Sequence, residues 1–166
     1  VDSLFVTNFL YAVEREYPVT IEQLWNAWVD ADALEDWYHP TDLSVVPGST
    51  TSDPTVGGWW TVSVAVPAYG FNAYFFGRYT AVEPHHQLIH TMHYTQDEQE
   101  FAARDETTPH HLVQIDFEER ESGSPSTSWV RFTQFGEMPA EQIPQTKAGM
   151  ESYFDSLDAY VARAAN

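Results

Sequence analysis

The segment Val19–Pro40, VTIEQLWNAWVDADALEDWYHP, constrains the fold more than any other part of the chain. Thr20 is placed as an N-cap whose hydroxyl takes an orphan amide of a first helical turn, and Gln23, three residues on, can reach back to complete a capping box. The helix so begun starts at Ile21. Its apolar residues Ile21, Leu24, Trp25 and Trp28 recur at spacings of three and four and form one buried stripe, leaving Glu22, Gln23 and Asn26 outside. Asp30 and Asp32 offer caps for a second short helix through Ala33, Leu34 and Trp37, which Pro40 ends. Few architectures need two short helices directly after a strand, closed by Trp37-Tyr38-His39-Pro40.

Beyond Pro40 the hydrophobic period changes to two, the signature of an antiparallel sheet. With Asn8–Tyr17 as a first strand, the spacing predicts further strands at Leu43–Val46, Trp59–Val66, Phe71–Val82, Gln87–Thr95, His111–Glu121 and Ser128–Phe135. Gly57-Gly58, Pro67-Ala68-Tyr69-Gly70, Glu83-Pro84 and Ser122-Gly123-Ser124-Pro125 punctuate them. Sequential strands make a meander the simplest topology. The acidic stretch Gln96–Pro109 exceeds what a hairpin needs and is expected to be a mobile loop. Helical period returns only at the end, where Ile143, Met150, Phe154, Leu157 and Val161 share a stripe and Pro144 belongs to the first turn.

At 166 residues the chain is expected to form one domain, 1–166, with a sizeable core. The absence of cysteine removes disulfides, thiolate metal sites and cysteine nucleophiles, and favours a cytoplasmic setting. No apolar run is long enough for a membrane helix, and Val1–Leu10 lacks the basic start of a signal peptide. A formal charge of −18 repels nucleic acid and anionic membranes. This acidity reads as a solubility or salt device, with an acidic protein-docking surface as the alternative.

The predicted fold class is thus α+β: a curved antiparallel sheet of about six to seven strands, two short helices after strand 1, and a long C-terminal helix across the concave face. Several segments carry a family resemblance. They are Leu24-Trp25-Asn26-Ala27-Trp28, Leu34 with Trp37-Tyr38-His39-Pro40, Gly57-Gly58, Gly77, Val82-Glu83-Pro84 with Gln87-Leu88, and Gly149. In that order the chain resembles the SRPBCC or START-like (Bet v 1-like) superfamily with its helix-grip fold, and within it the heat-shock protein 90 ATPase activator (Aha-type) C-terminal domain group. Met150 stands where that group usually has tryptophan. The resemblance implies a cavity between sheet and final helix.

Trp, Tyr and Phe make up 15% of the chain, so most must face apolar surroundings, either a core or a cavity wall. The expected cavity residues are Trp28, Trp37 and His39 at the helix pair, and Trp60, Val62 and Val64 on one strand face. His90, Met92 and Tyr94 alternate on another strand, Phe132 and Gln134 lie on the last strand, and Met150, Phe154 and Leu157 lie on the final helix. His90 and Gln134 are the candidate polar groups that orient a ligand. The pairs His85-His86 and His110-His111 point to opposite faces of their strands, so no metal site is expected. Neither a nucleophile elbow nor a phosphate loop is present, and no catalytic residue or cofactor is assigned.

Three functions are open at this point. The first is binding of a hydrophobic or aromatic small molecule, in one form the sequestration of an antibiotic or polyketide for self-resistance. The second is a cyclase- or aromatase-like enzyme using acid-base groups in the cavity, and the third a co-chaperone-like protein-interaction domain. Oligomeric state is left undetermined.

Overall fold

A computed structural model describes residues 8–122 and 126–164. Element order is β1 (Phe9–Tyr17), α1 (Ile21–Val29), α2 (Ala31–Trp37), β2 (Ser44–Val45), β3 (Thr51–Ser52), β4 (Trp59–Val66), β5 (Phe71–Glu83), β6 (Gln87–Thr95), α3 (Glu98–Ala103), β7 (His110–Glu121), β8 (Thr127–Phe135) and α4 (Ile143–Ala164). Most of the Ser122–Pro125 turn, and the start of the Val1–Leu10 segment, lie outside the described residues.

The capping signals act as their chemistry requires. Gln23 N–H donates to Thr20 Oγ1 (3.1 Å) while Thr20 N–H donates to Gln23 Oε1 (2.9 Å), closing the box at α1. Asp30 ends α1 and caps α2 through a bond from Ala33 N–H to its carboxylate (3.0 Å). Both helices bury their apolar stripe, and the Trp37 indole donates to the Ala27 carbonyl (2.7 Å), clamping one helix on the other. Ring contacts from Trp28 to Trp37 (4.7 Å) and Phe154 (5.8 Å) extend that cluster to α4.

All strand pairs are antiparallel, in the order β1-β8-β7-β6-β5-β4-β2, with β3 also paired to β4. The meander from β4 to β8 curls, and α4 lies across its concave face. The register sets side chains in rows across that face: Tyr11 faces Gln134, Gln134 faces Val113, Val113 faces His90 and His90 faces Tyr79. Arg15 fastens α4 to β1, reaching Glu151 (3.0 Å), Asp155 (2.8 Å) and Asp158 (2.8 Å). These bonds are half-exposed and contribute modestly; the buried Phe154, Leu157 and Val161 hold the helix down.

Two features differ from the sequence reading. Strand β3 is two residues long, too short to show an alternation. The acidic stretch expected to be a mobile loop instead contains α3, capped by Asp97, whose side chain accepts from Gln99 N–H (2.8 Å). Phe101 stacks on Tyr74 (4.8 Å), His93 stacks on Phe76 (4.8 Å), and Thr108 bonds His93 (2.8 Å). The insertion therefore covers the convex face of β5 and β6, burying Phe76 and His93. A single apolar residue, Phe101, anchors it, so no periodic pattern announced a helix.

Candidate ligand cavity

The N-terminal half of α4 stands away from the sheet and leaves a cavity of about 500 Å³. Its cause lies in side-chain size. Thr146 lies three and four residues before Gly149 and Met150, and Tyr153 three and four after Met150 and Gly149, so all four share the helix face turned to the cavity, and two of them are too small to fill it. Opposite them stand Tyr11, Phe75, Met92, Tyr94, His111 and Gln134 from the sheet, with Tyr38 from the end of α2 and Met138 from the loop before α4. Pro109, the end of the insertion, and His110, the first residue of β7, border the mouth with Tyr94, which is 49% exposed. All three methionines of the chain line this space. Methionine is unbranched and polarizable, and adapts to irregular partners.

One hydrogen-bonded chain crosses the wall. The Tyr11 hydroxyl donates to Gln134 Oε1 (2.5 Å), the Gln134 amide donates to His111 Nδ1 (2.6 Å), and His111 Nε2–H donates to the Glu137 carbonyl (3.0 Å). Because a carbonyl can only accept, His111 carries its proton on Nε2, and every direction in the chain follows. Burial pushes the Tyr11, Tyr38 and Tyr153 phenols well above their usual range, so they stay neutral at any physiological pH. No Lys, Arg, Asp or Glu is among the lining residues.

Of the expected cavity residues, the structure brings Met92, Tyr94, Gln134 and Met150 to this space. Trp28, Trp60 and His90 surround a separate hollow of about 10 Å³ beneath it, about the threshold for one water. His90 sits 4.5 Å from the Trp60 ring with Nδ1 2.9 Å from the Thr91 carbonyl, and burial pulls its pKa down to about 4, so it is neutral. Trp37, Val62, Val64, Phe132, Phe154 and Leu157 are core. His39 lies in a surface depression with Asp36, Asp155 and Arg163, both ring nitrogens beside backbone carbonyls (2.6 and 3.0 Å).

Sequence reasoning passed over Tyr11, Phe75, His111, Met138 and Tyr153 as cavity residues, and read Tyr38 as packing at the close of the helix pair. Tyr11 shares its strand face with Val13, His111 shares one with Val113 and Ile115, and Tyr153 falls three residues after Met150; period alone could have found them. Met138 belongs to no periodic element, and no signal marks it. Among the described residues no three His, Cys, Asp or Glu side chains converge as metal ligands. No helix there is long and apolar enough to cross a membrane.

A curled antiparallel sheet gripping a long C-terminal helix, with a cavity between them, defines a START-like protein of the SRPBCC superfamily. The chain belongs to the family described as Activator of Hsp90 ATPase homolog 1-like protein, which matches residues 18–162. Similar solved structures include an AHSA1 protein from Silicibacter pomeroyi (21% identity, TM-score 0.75, covering 93% of this chain and 98% of that one). A protein from Arthrobacter aurescens is 18% identical with a TM-score of 0.75, covering 97% of this chain and 94% of the other. One from Staphylococcus epidermidis is 20% identical with a TM-score of 0.73, covering 92% and 89%. These likenesses show the fold. No curated protein sequence matches the chain.

Proposed function

We propose that this chain binds a hydrophobic or aromatic small molecule between its sheet and α4, and does so as a cytoplasmic binding protein. The observation that carries the reading is a cavity of about 500 Å³ walled by Phe75, four tyrosines and all three methionines. Ligand pockets of roughly 300–1,000 Å³ with apolar walls and a few polar groups are the usual form of such sites. Apolar contact supplies affinity, and Gln134 and the phenols supply orientation. Sequestration of an aromatic natural product, such as a polyketide antibiotic, is the physiological form we favour. The cavity supports this reading over a co-chaperone role, which would act through the acidic exterior.

The test uses Gly149. A Cβ built there meets nothing within 4 Å, and its neighbours along the helix at 146, 150 and 153 all line the cavity. Gly149→Leu therefore fills the space, and it improves helix propensity by about 0.5–1 kcal/mol. Titration with the neutral dye N-phenyl-1-naphthylamine should show one saturable site in the wild type and none in Gly149→Leu, with a melting temperature no lower than wild type. Undiminished dye binding in that variant would place the site elsewhere and overturn the reading.

A further inference from the structure

The polar groups of the cavity divide by what they still offer a ligand. His111 has both ring nitrogens engaged, by Gln134 and by the Glu137 carbonyl, Gln134 has one of its two amide N–H groups on His111, and the Tyr11 hydroxyl donates to Gln134. Tyr94 oxygen accepts from Gln96 (2.8 Å) at the rim. Tyr38 and Tyr153 are different. Both line the cavity, their rings meet edge to face at 5.0 Å, and neither hydroxyl has a hydrogen-bond partner among the described residues. Tyr38 is only 4% exposed, yet its oxygen is not among the unpartnered side-chain atoms sealed from solvent, and nor is that of Tyr153. Each oxygen therefore keeps a surface that an incoming group can reach.

A ligand that covers such a hydroxyl without accepting from it leaves it unpaired at a cost of about 1–3 kcal/mol, and an acceptor on the ligand avoids that cost. Two such donors, on rings whose centres are 5.0 Å apart in an aromatic cavity, suit an acceptor that takes two hydrogen bonds at once. A carbonyl oxygen, with two lone pairs, is that group. A carboxylate would also accept, but no Lys or Arg lines the cavity, and a buried unpaired anion is far more expensive to desolvate than a ketone.

Building on the cavity-binding reading, we propose that the ligand is a neutral aromatic carbonyl compound, an aryl ketone or quinone, whose oxygen accepts from the hydroxyls of Tyr38 and Tyr153. Tyr11 oxygen, its proton engaged, accepts from a ligand hydroxyl where one is present. Burial keeps both donor phenols protonated, so the preference holds across physiological pH.

Three compounds on one ring frame test this: fluorene, 9-fluorenone and fluorene-9-carboxylate, titrated by quenching of tryptophan fluorescence. Fluorenone should bind the wild type at least tenfold more tightly than the carboxylate. Tyr38→Phe and Tyr153→Phe should each weaken fluorenone about tenfold, the value of one good hydrogen bond, and change fluorene by less than twofold. The fluorene arm also shows that each variant keeps a folded cavity. If both variants bind fluorenone as the wild type does, or the carboxylate binds most tightly, the carbonyl assignment is overturned while a cavity binder stands. If none of the three binds, both readings fall.

Discussion

Gly77→Ala is expected to abolish the folded state or to remove at least about 4 kcal/mol of stability, a loss that only a few mechanisms produce. A Cβ at this position would lie 1.9 Å from the Thr91 carbonyl oxygen and 2.7 Å from its carbon, with Trp60 Nε1 at 2.8 Å. Two of these three atoms are backbone and cannot swing aside. The reason for the crowding is visible in the register: Gly77 pairs with Trp60, whose indole reaches across β5 to donate to Thr91 O (3.0 Å) on β6. A methyl group would break that bond and part β5 from β6 beneath the cavity. Urea denaturation followed by far-UV circular dichroism measures the loss, and a change below 1 kcal/mol would show that the strands accommodate the methyl group.

Trp37→Ala is expected to cost about 3–5 kcal/mol, as large-to-small substitutions of buried aromatics do. Trp37 is wholly buried, between Trp28 at 4.7 Å and Tyr38 at 5.3 Å, and its indole satisfies the Ala27 carbonyl at the end of α1. Truncation leaves both a void and an unpaired acceptor, so the melting temperature should fall by about 6–20 °C at roughly 2–4 °C per kcal/mol. His39→Ala, two residues away on the surface, should move it by less than about 2 °C, since surface substitutions away from such features stay within about 0.5 kcal/mol. Differential scanning fluorimetry of the pair separates the core tryptophan from the surface histidine.

The contrast between these neighbours shows what a sequence can and cannot convey. Periodicity reports which face a residue occupies, so the α1–α2 unit and seven of the eight strands of the described residues were legible, down to the capping residues Thr20 and Asp30. It does not report how closely two faces approach. Val62, Phe132, Phe154 and Leu157 share faces with Met92, Gln134 and Met150, yet the first group packs tightly and the second borders open space. That division depends on where α4 lifts from the sheet, which the small side chains of Thr146 and Gly149 decide together with the width of the curl. His90 illustrates the same point. It lies on the predicted inward face, but Trp60 and Tyr79 enclose it before the cavity begins. The insertion failed for another reason: α3 is six residues long, with no stripe to read.

The central claim is that the space beneath α4 receives an apolar ligand, and the methionines give it a direct readout. The chain has only three, Met92, Met138 and Met150, and all three line that space. Methyl carbon-13 labelling therefore yields three resonances, each assignable by one Met→Leu substitution, with no other methionine signal to confuse them. Titration with 9-fluorenone or N-phenyl-1-naphthylamine should shift all three with a common dissociation constant and saturate at one equivalent. Binding that leaves the three methyl signals in place would contradict the account, because the ligand would then occupy some other part of the molecule.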